Sequence, residues 1–73
     1  MNDSTGLLIE VGDSVEMIVG SRGYYDSGAI GTVIDIHEHI ETIVIKFYDG
    51  HYCKDFGGEW SAYPWETIVM PTM

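Results

Sequence analysis

Basic residues are scarce in this chain. Twelve Asp and Glu stand against three cations, Arg22, Lys46 and Lys54, for a formal net charge of −9 over 73 residues. Proteins that grip DNA or RNA do so by neutralising phosphates with Lys and Arg. Three scattered cations cannot form such a patch, so direct nucleic-acid binding is not expected. The single cysteine, Cys53, excludes a disulfide within the chain, the usual staple of small secreted domains. No apolar run approaches the roughly 20 residues of a membrane-spanning helix. Met1 to Gly6 carries neither the basic region nor the apolar stretch of a secretory signal. A reducing, cytoplasmic setting without a membrane partner is the expectation. Helix-period segments, internal repeats and low-complexity tracts are also missing.

What is present is a β pattern. Gly28-Ala29-Ile30-Gly31-Thr32-Val33-Ile34 is a glycine-hinged turn feeding a strand. Ile43 to Tyr48 is another, closed by Asp49-Gly50, the dipeptide that reverses a chain most easily. Period-2 alternation puts Ile43, Ile45 and Phe47 on one face and leaves Lys46 to water. The same alternation in Val15-Glu16-Met17-Ile18-Val19 turns Val15, Met17 and Val19 inward. Thr32 to Ile36 reads as the second strand, with a hairpin turn near Glu41-Thr42. His51-Tyr52-Cys53-Lys54 reads as the start of the fourth. Pro64 cannot sit inside a central strand, which predicts a short 3₁₀ turn over Tyr63 to Glu66. Thr67-Ile68-Val69-Met70 forms the last strand, stopped by Pro71. Residues 1–10 read as a mobile lead-in, 11–70 as one domain and 71–73 as a tail.

Five short strands, a long glycine-rich loop after the first and a single turn before the last describe an all-β, five-stranded SH3-like barrel. The run Val11-Gly12-Asp13, Val15, Gly28, Gly31-Thr32-Val33, Val44-Ile45-Lys46-Phe47, Glu66-Thr67-Ile68-Val69 resembles two branches of that superfold. One is the KOW-type barrel of transcription and ribosomal proteins. The other is the barrel of photosystem I reaction-centre subunit IV and its relatives, including accessory subunits of nitrile hydratase and of ferredoxin–thioredoxin reductase. In that branch a tyrosine-containing loop precedes Gly-Thr-Val, as Tyr24-Tyr25 does here. The KOW branch implies RNA contacts through basic residues, which this chain lacks. The Ala-Leu-Tyr-Asp-Tyr run and Trp-Trp pair of peptide-binding SH3 domains are missing too. In size and acidity the chain also resembles small accessory proteins of bacteriophages.

Few side-chain constellations suggest chemistry. His37 and His39 share a strand face, and His51 and Cys53 repeat that spacing. If the two strand ends meet, these four could ligate zinc, but the usual zinc spacings are absent and a pair of exposed strand ends explains them as well. Cys53, His51 and Asp55 are close in sequence, yet an extended strand does not aim a histidine base at a cysteine two residues away. A lone cysteine more often fills a core. Gly20-Ser21-Arg22-Gly23 lacks the Gly-Lys-Ser/Thr of a phosphate loop. No cofactor and no catalytic residue are therefore assigned.

The aromatics are the richer signal. A glycine loop bearing Tyr24 and Tyr25 is a poor way to fill a core, while Phe47 with Trp60 or Trp65 suits one. SH3-like topology brings the first long loop near the turn before the last strand. That gathers Tyr24, Tyr25, Trp60 and Tyr63 beside Asp26, Glu59 and Glu66 as a partner-binding surface for a basic peptide or protein face. The equal alternative is that these rings only close a small core. The functional expectation is a non-catalytic, regulatory or accessory interaction module. The other classes are a KOW-type module or nucleic-acid mimic within a nucleic-acid-processing complex, and a metal-binding or enzyme-accessory subunit.

Overall fold

A computed structural model of the chain describes residues 1–71. Five strands form one antiparallel sheet: β1 (Ser14–Met17), β2 (Ile30–His37), β3 (Thr42–Phe47), β4 (Glu59–Ala62) and β5 (Thr67–Val69). Their spatial order is β4-β3-β2-β1-β5, the order of an SH3-like barrel. Three 3₁₀ turns lie between strands, at Glu38–Ile40, Lys54–Phe56 and Pro64–Glu66. No helix is long and apolar enough to cross a membrane among these residues.

The barrel follows from where the strands send their side chains. Val15 and Met17 of β1, Val33 of β2, Ile43, Ile45 and Phe47 of β3 and Ala62 of β4 are buried in one cluster. A single sheet whose strands all face one core must curl around it. The alternation in β3 holds as expected, with Lys46 exposed. In β2 the register against β3 shifts between Val33 and Asp35. Ile34 is the extra residue of a β-bulge, and the bulge re-phases the strand so that Ile36 rejoins the core.

Gly31 of β2 packs directly against β3. Its backbone φ lies outside the left-handed region, so the need for glycine is steric. A Cβ there would stand 2.6 Å from Ile45 Cγ2 and 2.6 Å from the Lys46 carbonyl oxygen.

Several expectations need correction. β1 ends at Met17, and Val19 is exposed because the chain leaves the sheet into the β1–β2 loop. His51 to Lys54 is not a strand. Cys53 adopts a left-handed φ of 50°, which no strand tolerates, and a 3₁₀ turn follows it. The fourth strand is instead Glu59–Ala62, entered through Gly57 and Gly58, both at positive φ. Neither tryptophan is fully buried: Trp60 is half-buried and Trp65 is 51% exposed.

Residues 1–10 are tied down instead of forming a free lead-in. Asp3 is buried, and its Oδ2 accepts the Val69 N–H at 2.7 Å. Its Oδ1 accepts from the Leu7 N–H, the Thr5 N–H and the Thr5 hydroxyl at 2.8–2.9 Å. The Ser4 N–H donates to the Thr67 carbonyl at 2.9 Å, and Ile9 joins the core. Burial pushes the Asp3 carboxyl up, but these donors outweigh it and hold the group at about 2. The N-terminal segment thereby covers the outer edge of β5. Of the expected tail 71–73, residues 72 and 73 lie outside the described residues.

Candidate functional site

The β1–β2 loop, β4 and the turn before β5 converge as the topology requires. Between them lies a groove of ≈ 550 Å³. Its aromatic lining is Tyr25, Phe56, Trp60 and Tyr63, and its acids are Glu59 and Glu66. Local chemistry places each one. Phe56 ends the second 3₁₀ turn and is held out by the left-handed Gly57. Trp60 alternates with Glu59 and Ser61 along β4. Tyr63 precedes Pro64, whose fixed φ suits the first position of a 3₁₀ turn. Glu66 closes that turn by accepting the Tyr63 N–H at 3.1 Å, while the Glu66 N–H donates to the Tyr63 carbonyl at 3.0 Å.

Aromatic stacking stiffens the rim. Tyr24 lies on Trp60 with ring centres 4.0 Å apart and planes 19° apart. Phe56 meets Trp60 edge-on at 5.0 Å. Tyr63 stacks on Trp65 at 4.6 Å and 6°. Such pairs add about 0.5–1.5 kcal/mol each beyond burial. They hold large apolar faces at the surface, where Phe56 is 54% and Tyr63 is 48% exposed.

The expected surface is thus assembled in part. Glu59, Trp60, Tyr63 and Glu66 share the groove, and Tyr24 borders it through Trp60. Tyr25 reaches the groove wall but is a core residue, 6% exposed and packed on Phe47 at 4.8 Å. Burial, then Glu66 and Cys53 nearby, push its phenol up to about 12. Asp26 is not on this rim. It lies in a smaller cleft with Tyr52, whose hydroxyl donates to Asp26 Oδ2 at 3.4 Å. Phe56 is the residue that the sequence reading misses, and the Gly57-Gly58 pair behind it was the available signal for a turn that lifts it.

The zinc constellation does not form. His37 ends β2 and His39 belongs to the turn after it, with ring centres 6.3 Å apart. His37 Nε2 lies 3.4 Å from Asp35 Oδ2. Cys53 is buried under the β1–β2 loop, its Sγ 3.7 Å from the Tyr24 carbonyl oxygen, and burial pushes its thiol up. His51 is exposed on the loop after β3. Among the described residues no three His, Cys, Asp or Glu side chains converge as a metal site.

Electrostatics complete the picture. Among the described residues no Lys or Arg lies within ion-pair distance of a carboxylate, and the His37–Asp35 contact is the one His–carboxylate approach. Glu59 and Glu66 make no ion pair among the described residues, although Lys46 stands across the β3–β4 ladder from Glu59; Arg22 lies in the β1–β2 loop and Lys54 in the second 3₁₀ turn. The groove therefore carries two carboxylates that no Lys or Arg contacts among the described residues. Comparison with protein families, curated proteins and solved structures gives no match.

Proposed function

We propose that this protein is a non-catalytic interaction module that binds a basic surface or peptide of a partner protein through the groove between the β1–β2 loop and β4. One observation carries the reading: exposed, pre-stacked aromatic rings flank two carboxylates, Glu59 and Glu66, that make no ion pair among the described residues. Rigid aromatics supply contact area at low entropic cost. Arginine or lysine gains both from their faces and from the carboxylates. The net charge of −9 steers a basic partner to the surface over a distance set by salt.

The test is binding of basic proteins to the immobilised protein at low and high salt, with the Glu59→Lys/Glu66→Lys double variant beside the parent. The reading expects salt-sensitive binding that the double variant loses while its fold is kept. Equal binding by parent and variant would move the interaction to another face. Duplex DNA is expected to give no mobility shift at physiological salt, since Arg22, Lys46 and Lys54 cannot follow a phosphate backbone.

A further inference from the structure

The two edges of the sheet are treated differently. At β5, Thr67 and Val69 turn their backbone groups outward: the Ser4 N–H donates to the Thr67 carbonyl, the Asp3 carboxylate accepts the Val69 N–H and the Pro64 carbonyl accepts the Thr67 N–H. At β4 nothing does the same. The Phe47 N–H donates to the Gly58 carbonyl at 2.9 Å, which sets the phase of the β3–β4 ladder. Ile45 opposes Trp60 and Ile43 opposes Ala62. In an antiparallel ladder hydrogen-bonded and non-bonded pairs alternate. Gly58, Trp60 and Ala62 therefore face β3, and Glu59 and Ser61 aim their N–H and C=O groups away from it. No hydrogen bond reaches these four groups among the described residues. The next outward amide, at Tyr63, is already taken by Glu66. The free edge is thus two outward residues long, and all of β4 lines the groove.

We infer that β4 accepts an extended basic segment of a partner protein as an added strand, paired to the backbone of Glu59 and Ser61. This rests on the basic-partner reading above and specifies its form. Main-chain bonds supply register, and alternate side chains of the incoming strand lie on opposite faces. Opposite Glu59, a lysine or arginine of the added strand occupies the cross-strand position that favours unlike charge. Lys46, the ladder neighbour of Glu59 on β3, makes no ion pair with it, so the carboxylate is available. The same charge disfavours a second copy as the occupant. Pairing β4 with β4 would bring two Glu59 side chains and two molecules of net charge −9 together. Exposed edges in stable proteins are usually blunted or covered, and here one is covered and the other opens into an aromatic groove.

The test uses the 73-residue protein and a capped seven-residue peptide that alternates arginine with valine. The readouts are amide hydrogen exchange by NMR and binding by calorimetry. Added peptide is expected to slow exchange at the Glu59 and Ser61 amides, with no comparable change at Trp60 and Ala62, which are already bonded. Ser61→Pro removes an outward donor and blocks the edge while leaving the β3 ladder intact. It is expected to weaken binding roughly tenfold or more, and Ser61→Ala, which keeps the N–H, is expected to bind like the parent. Binding without new protection at Glu59 and Ser61, or undiminished in a folded Ser61→Pro protein, would overturn strand addition while sparing the charged groove. Should Ser61→Pro not fold, the exchange pattern of the parent decides alone. No binding of the peptide would overturn strand addition, and the basic-protein test above then judges the broader reading separately. Protection of the same amides that rises with protein concentration without peptide would assign the edge to a second copy and equally overturn the proposal.

Discussion

Gly31→Ala offers the sharpest check of the packing described above. The new methyl would lie 2.6 Å from Ile45 Cγ2 and 2.6 Å from the Lys46 carbonyl oxygen, with the Lys46 carbonyl carbon at 3.0 Å. Comfortable carbon contacts are about 3.5–4.0 Å, so β2 and β3 must part by close to an ångström at the Gly31 end of their ladder. Ile45 is fully buried and has no room to retreat. Overpacking of this kind costs about 1–3 kcal/mol, and the stretched ladder adds to it. Against this stands a gain of only about 0.4–1 kcal/mol from a less flexible unfolded chain. The net expectation is a loss of about 1–2 kcal/mol. At about 4–8 °C per kcal/mol for a domain of this size, the melting temperature should fall by roughly 5–15 °C. Two other glycines serve as internal controls. Gly28, at φ +91° with open space around it, should lose about 1 kcal/mol on change to alanine through backbone strain alone. Gly50 has open space and no positive φ, so Gly50→Ala should be neutral or mildly stabilising. Urea and thermal melts of the three variants decide the matter. If Gly31→Ala melts with Gly50→Ala, the close approach of β2 to β3 is wrong.

Three further substitutions separate core from surface and test the N-terminal anchor. Tyr25→Ala should cost about 3–5 kcal/mol, as for other buried aromatics, and leave the protein largely unfolded at room temperature by circular dichroism. Tyr24→Ala should remain folded and lose its ring contacts with Trp60 and Phe56. The reverse ranking would restore Tyr25 to the surface. Asp3 makes stability depend on acid. Its folded pKa of about 2 lies below the ordinary aspartate value of 3.8, so its contribution is complete above the unfolded pKa and drains away as pH falls from about 4 towards 2. After allowance for solvent screening it is worth about 1–2 kcal/mol. Asp3→Asn should be less stable at neutral pH, and the gap to the parent should narrow across that acid window in urea melts.

Some of this molecule is written in local pattern and some is not. The alternation of Ile43, Ile45 and Phe47 around Lys46 needs only period 2 and a buried face, so β3 is legible residue by residue. Pro64 marks the last turn because its ring forbids a central strand. β4 is harder. Asp49-Gly50 suggests a tight hairpin, but the chain turns again through a left-handed Cys53, a conformation cysteine gives no hint of adopting. Tyr25 misleads for a similar reason: its loop is polar and glycine-rich, yet the loop folds back with the Ser21 N–H on the Tyr25 carbonyl, dropping that ring onto Phe47. Asp3 is the furthest from view. A short polar opening looks like a free end until its partner, Val69, is known. Of the candidate site, Glu59, Trp60, Tyr63 and Glu66 follow from topology. The separation of Asp26 from them depends on loop geometry that sequence does not specify.

The Asp3 anchor also bears on the order of folding events. Its bond to Val69 joins residues 66 positions apart, whereas the β2–β3 hairpin closes over a short turn. Loop-closure entropy favours the hairpin as the early structure and leaves the chain-spanning bond for last. Interactions made after the transition state act on the rate of opening, not on the rate of folding. A carboxylate placed there lengthens the lifetime of the native barrel without slowing its formation. The segment that looks most like a dispensable leader is in this sense the barrel's kinetic clasp.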